Sequence, residues 1–250
     1  EGAVRNPKAH FDAKTRTGTA ATYSVTGLSF QPDFVWVKSR GRAIDHALYD
    51  SVRGVEKRLE PNNTDAEVTG DTPGLTAFNS AGYSGGALDQ INGTTATNSF
   101  IDWMWKANGA AVSNTNGTIT SQVSANQTAG FSVVTATAPA SGAFTVGHGL
   151  AKVPNLIIVK DRDVATGWPV FHSSVTTQNE YLLLNGTAAK ATLSGMFGSA
   201  MPTSSVFGQT VGAAINANSK FMALCFTDVP GYQKIGSYTG NGSADGPLGF

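Results

Sequence analysis

Apolar residues in this chain come in short bursts, and the same bursts come twice. Phe34-Val35-Trp36-Val37, between Pro32 and Gly41, and Leu156-Ile157-Ile158-Val159, preceded by Pro154, are β-branched or aromatic runs too short for a helix. Each predicts a strand buried on both faces. A second matched pair, Phe100-Ile101-Asp102-Trp103-Met104-Trp105 and Phe221-Met222-Ala223-Leu224-Cys225-Phe226, closes each half. Period-two alternation sets Ile101, Trp103 and Trp105 on one face, with Met222, Leu224 and Phe226 on the corresponding face of the second half. Weaker strands are predicted at 75–78 after Pro73 and at 205–207 after Pro202, while 131–135 opens the second half as 11–15 opens the first. Turn-bounded strands at this spacing suit a sandwich. A parallel α/β fold needs amphipathic helices of ten or so residues, and the best helical stretch, 43–58, contains Gly54.

The halves share one template: Leu28 to Arg40 and Leu150 to Arg162 each read Leu, three residues, Pro, a five-residue largely apolar run, Lys, any residue, Arg. A tandem repeat of about 120 residues matches the commonest domain size. The expected organisation is an N-terminal extension at 1–10, a β-sandwich repeat at 11–129, and a second at 130–234. Residues 235–250 are either the start of a third repeat or a strand closing the second, because Thr239-Gly240 before Leu248 and Phe250 echoes Thr17-Gly18 before Leu28 and Phe30. The Ser-, Thr- and Asn-rich stretch 109–130 is expected to be a connector with at most one short strand. A chain that opens on Glu and stops inside a motif is expected to be a piece of a longer protein.

Composition reinforces the all-β expectation, since only 14% of residues are charged and helices stitched by charge pairs need more. Net charge is zero, which lacks the basic footprint of nucleic-acid binding. A single cysteine, Cys225, excludes an intrachain disulfide framework. No apolar stretch reaches bilayer length and the first residues lack a signal peptide's apolar core, so no membrane insertion is expected.

Twelve charged side chains crowd into residues 38–67, while the matching stretch 166–172 is nearly bare. One reading is a recognition surface or subunit contact built on Arg40, Arg42, Arg53 and Arg58, whose guanidinium forks suit carboxylates and sugar hydroxyls. The other is a solvated loop of weak ion pairs. Tyr49 and Trp168 lie in loop-like sequence and are the candidate sugar-stacking platforms, the remaining aromatics being explained by core packing. Gly82-Tyr83-Ser84-Gly85-Gly86 spells a nucleophile elbow, but 87–93 is too short and turn-rich for the helix that must follow, which favours a glycine-rich turn. His10, His46, His148 and His172 are scattered, Asp161-Arg162-Asp163 lacks the rest of a calcium loop, and six Asn-x-Ser/Thr triplets follow from composition. No metal and no cofactor is expected.

Longer motifs carry a resemblance. Gly27-Leu28-Ser29-Phe30-Gln31-Pro32-Asp33-Phe34-Val35-Trp36-Val37-Lys38-Ser39-Arg40, then residues 45–59, Ala107-Asn108-Gly109, 121–126 and 235–246, together resemble a repeated domain of tailed-bacteriophage virion proteins, common in marine phages. The resemblance covers essentially the whole chain, and in longer relatives the repeat continues past the position of Phe250. It implies two tandem lectin-like, jelly-roll type antiparallel β-sandwich domains and a non-enzymatic structural component of the virion, therefore extracellular. A tail-fibre or appendage module for host adhesion comes first, working as a homo-oligomer with other virion proteins and host-surface glycan as partners. A capsid decoration or fibrous lattice protein making only protein contacts comes second. A hydrolase using Ser84 comes last.

Overall fold

The computed structural model describes residues 4–93 and 98–246. It is all-β, and its strands pair antiparallel throughout. The first half contributes β1 (Phe11–Thr17), β2 (Tyr23–Val25), β3 (Phe34–Ser39), β4 (Ala47–Asp50), β5 (Lys57–Arg58), β6 (Val68–Thr69), β7 (Leu75–Asn79), β8 (Gly82–Gly85) and β9 (Ser99–Trp105). The second contributes β10 (Val112–Asn114), β11 (Ser121–Asn126), β12 (Phe131–Thr137), β13 (Ala143–Gly147), β14 (Leu156–Asp161), β15 (Pro169–His172), β16 (Glu180–Leu183), β17 (Ala191–Thr192), β18 (Val206–Thr210) and β19 (Lys220–Phe226). Helix is confined, among the described residues, to a 3-10 turn at Pro7–Ala9 and one turn, α1 (Asp89–Asn92).

The two halves repeat in space as they do in sequence. The order β1-β9-β3-β4 in a four-stranded sheet recurs as β12-β19-β14-β15 inside an eight-stranded one. Register agrees too: Phe34 pairs with Trp105 and Leu156 with Phe226, while Trp36 pairs with Trp103 and Ile158 with Leu224. Each main sheet is faced by a smaller one, β2-β8-β7 in the first half and β13-β18 in the second.

Alternation sorts the apolar side chains into three clusters. Val35, Val37, Tyr49, Phe100 and Met104 face β2-β8-β7 with Val25, Leu75 and Tyr83. Val134, Ile157, Val159, Phe171, Phe221, Ala223 and Cys225 face β13-β18 with Phe144, Val146 and Phe207. The opposite faces of the two main sheets meet: Phe34, Leu48, Leu59 and Ala107 pack on Phe131, Val133, Ile158, Trp168, Val170, Met222, Leu224 and Phe226. The face predicted for Trp105, Met222, Leu224 and Phe226 is therefore the junction between the repeats. Burial of β3 and β14 on both sides follows because each lies between its own core and this junction.

Residues 43–58, the best helical stretch in the sequence, form β4 and β5 with turns between them, because Leu48 and Tyr49 alternate between the junction and the first core. One local expectation needs correction. The 109–130 connector holds two strands, not one: β10 pairs with β11 and β11 with β12, extending the second sheet outward. Residues 235–246 carry no strand, and Ile235 packs on the junction cluster. Just before β12, Gly130 has φ +65°, and a Cβ there would lie 2.4 Å from Thr227 Oγ1. Only glycine fits this close approach without displacing β19's exit.

Candidate functional site

The charged patch of the first repeat divides: Lys38, Arg40 and Arg42 stay open or half-open to solvent, while Asp50, Arg53, Arg58 and Glu60 are buried. The part around Arg53, Thr64 and Glu67 folds against the second repeat as a clasp. The hairpin formed by β5 and β6 carries Glu67, whose carboxylate accepts from Arg162 Nε at 2.8 Å and Nη2 at 2.7 Å, a bidentate fork across the junction. Arg53 donates to the same carboxylate at 2.8 Å and is ion-paired with Asp50. Glu67 N also donates to Arg162 O at 2.8 Å. Asp50 and Arg53 have no side-chain exposure, and Glu67 has 6%, so these charges interact where water does not screen them. Burial pushes the Glu67 carboxyl up, but hydrogen bonds from Arg162 and the charge of Arg53 outweigh it and hold it below the ordinary carboxylate value. Burial likewise opposes the charge on Arg53, and Asp50 and Glu67 reverse that, leaving its pKa raised.

A second contact lies beside the first. Lys160 Nζ, fully buried, donates to the carbonyls of Thr166 at 2.8 Å, Thr64 at 3.0 Å and Val164 at 3.4 Å. The Thr64 carbonyl comes from the first repeat. Desolvation pulls the Lys160 pKa down to about 8 against the nearby carboxylates Asp161 and Asp65. The Lys160 ammonium sits 5.9 Å from the centre of the Trp168 ring, and Trp168 Nε1 donates to Glu60 O at 3.2 Å. Loop residues with charged side chains become interior here because their partners lie about a hundred positions away in the chain.

The six candidate contact residues accordingly divide. Tyr49 is buried in the first core with its hydroxyl on Asp71 at 2.7 Å, and Trp168 is buried in the junction. Arg53 and Arg58 are buried as well, Arg58 between Glu60 and Asp71. Tyr49, Arg53 and Trp168 do not offer their side chains to solvent and Arg58 keeps only 9% of its own exposed, so none of the four presents an open platform in this fold. Arg40 and Arg42 are exposed. Arg42 pairs with Asp89, and such surface pairs contribute about 0–1 kcal/mol.

Comparison with known families places the chain. A model for a family described as "Domain of unknown function (DUF7483)" matches residues 6–250. The chain belongs to that family. No curated protein and no solved structure matches it.

Elsewhere in this DUF7483 chain, polar groups are tied up in pairs. Arg16 on β1 reaches into the first core, where its Nε meets Asp102 at 2.7 Å and its guanidinium lies 4.1 Å from the Tyr23 ring centre. Tyr23 and Tyr83 hydroxyls are 3.2 Å apart. Burial raises the Asp102 carboxyl, with the Arg16 charge acting against it. Ser84 lies on an extended strand, with its Oγ 2.9 Å from both Ser24 Oγ and Asn79 Nδ2. The strand-to-helix elbow that exposes a nucleophile is not its geometry. His46 Nδ1 accepts from Trp36 Nε1 at 2.9 Å, and His148 is buried against Thr203 O. Among the described residues, no group of three His, Cys, Asp or Glu is placed to hold a metal ion.

Sequence reasoning named the patch but not its partners, Lys160 and Arg162. Two signals were present. The Lys-x-Arg motif ends both repeat templates, and Asn62-Asn63-Thr64-Asp65-Ala66 is matched by Asn185-Gly186-Thr187-Ala188-Ala189, which aligns the hairpins of the two halves.

Proposed function

We propose that this chain is a non-enzymatic structural module of a tailed-phage virion. In this reading two tandem lectin-like, jelly-roll type β-sandwiches act outside the cell as one stiff block, present in several copies on the particle. The resemblance supplies the particle. The clasp carries the choice among roles: Trp168 and the Arg53–Glu67 part of the charged patch, groups suited to meeting a receptor, are spent joining the repeats. That favours a decoration or lattice component that contacts other virion proteins over a tail-fibre module that grips glycan. Glycan adhesion retains one observation, the half-exposed Trp36 and Trp103 rings, edge to face at 6.0 Å, since sugars pack on aromatic surfaces.

Labelling purified particles with an antibody to this chain, viewed by electron microscopy, tests the proposal. Regularly spaced label is expected, with a blank glycan array. A chain missing from purified particles overturns the particle role, and glycan binding lost on Trp103→Ala transfers the role to adhesion.

A further inference from the structure

The clasp at Lys160 has an unfilled counterpart in the first repeat. Lys38 is the equivalent of Lys160 and holds the same two positions of its own loop: its Nζ donates to Ile44 O at 2.6 Å and meets Arg42 O at 3.5 Å, where Lys160 takes Thr166 and Val164. His46 stands where Trp168 does. The backbone N–H of each donates to the side-chain oxygen of an equivalent asparagine at 2.9 Å, Asn62 in one half and Asn185 in the other. Arg40 is the equivalent of Arg162, and the backbone N–H of each donates across to the last strand of its repeat at 2.8 Å. In the second repeat this slot is closed by Thr64 O and by the Glu67 carboxylate. In the first, Lys38, Ile44, His46 and Asp45, whose carboxylate accepts from Asn62 Nδ2 at 2.6 Å, line an open pocket of about 310 Å³. The Arg40 guanidinium is exposed and has no hydrogen-bond or ion-pair partner among the described residues.

The sheet face beside the slot is open in the same way. Met222 and Leu224, buried in the junction, correspond to Ile101 and Trp103, which are half-exposed and belong to none of the three clusters. A contact that runs from the hairpin of one repeat to the face of the other is heterologous: it engages different surfaces on the two repeats.

We propose that the Lys38–Arg40–His46 face is a docking slot for an acidic β-hairpin from a further related repeat. The hairpin presents a backbone carbonyl to Lys38 Nζ and a carboxylate to Arg40, as 57–69 does for Lys160 and Arg162. A second copy of this chain is the wrong occupant. Its 57–69 hairpin is engaged internally, and its 180–192 hairpin carries Lys190 where Glu67 stands. Lys190 pairs with Glu180 at 2.7 Å, so docking would set an ammonium against Arg40, and like charges at a contact disfavour it. The inference rests on the protein-contact role proposed above and adds the partner's chemistry.

The test uses a cyclised peptide of residues 57–69, closed so that the isolated hairpin is pre-organised. It is titrated into the intact chain while Trp36 and Trp103 fluorescence is followed. Saturable binding is expected, weaker by at least about tenfold with Arg40→Glu, or with a peptide bearing Glu67→Lys, since a charge-assisted fork is lost in each. Arg162→Glu is expected to leave that binding in place, which separates the slot from displacement of the internal hairpin. No binding, or equal binding by Arg40→Glu, overturns the proposal. Particle labelling is independent of this titration, so the two readings fail separately.

Discussion

Glu67→Gln is the sharpest probe of the junction. It keeps the size of the side chain and removes the one negative charge that bridges Arg53 and Arg162. In the parent, Asp50, Arg53, Glu67 and Arg162 balance two negative against two positive charges, with side-chain exposures of 0%, 0%, 6% and 11%. Glutamine leaves a net positive charge in that enclosure and turns one acceptor toward guanidinium donors as an N–H group. Removing one member of a buried pair costs about 3–5 kcal/mol, because the remaining charge stays desolvated. For a chain of this size each kcal/mol lowers Tm by roughly 2–4 °C, so a drop of about 6–20 °C is expected by calorimetry. Acid should close the gap. The Glu67 pKa is depressed in the folded state, so its contribution is fully present above the ordinary value of 4.5. It is lost as pH falls through the lower folded value. Replacing both partners, Glu67→Met with Arg162→Met, should cost less than the single change, since neither leaves an unpaired charge at this fork. A Glu67→Gln loss below about 1 kcal/mol, the range of exposed pairs, would refute a desolvated clasp.

Trp168→Ala should destabilise by about 3–5 kcal/mol in denaturant unfolding, the range for emptying a large aromatic site, since the ring is fully buried in the junction. A loss below about 1 kcal/mol would mean the ring is a surface platform after all. Cys225 is fully buried and its thiol pKa is pushed up by desolvation. It should therefore resist thiol reagents in native buffer at pH 8 and react promptly in denaturant, and rapid native labelling would contradict the packing of β19.

Much of this architecture was legible in one dimension. Short apolar runs placed β3 and β14 and period-two alternation oriented β9 and β19, while the shared Leu-to-Arg template announced that the halves repeat. Both signals are local, because a strand's face assignment depends only on neighbours in the chain. Local pattern left 43–58 without an assigned strand, where helix-compatible residues are drawn into strands by partners on β3 and at Leu59. It also undercounted the strands in 109–130, where β10 is polar along the sheet edge and β11 turns only Val123 and Ala125 toward the second core, too few apolar positions to announce a strand.

What tertiary structure alone decided is the fate of the charges. In sequence, residues 38–67 look solvated, because charged side chains are rarely interior unless paired. Pairing is a fact about space, and Glu67 meets Arg162 across a span of 95 residues. The sequence by itself determined that two similar sheets would form and which side chains would face away from each core. Only the fold decided that those outward faces meet and bury Trp168, and that Tyr49, Arg53 and Arg58 find partners inside the chain while Arg40 stays open to solvent. The repeat supplies two copies of one receptor slot, and a hairpin that fills one of them reaches it only when the chain folds back upon itself.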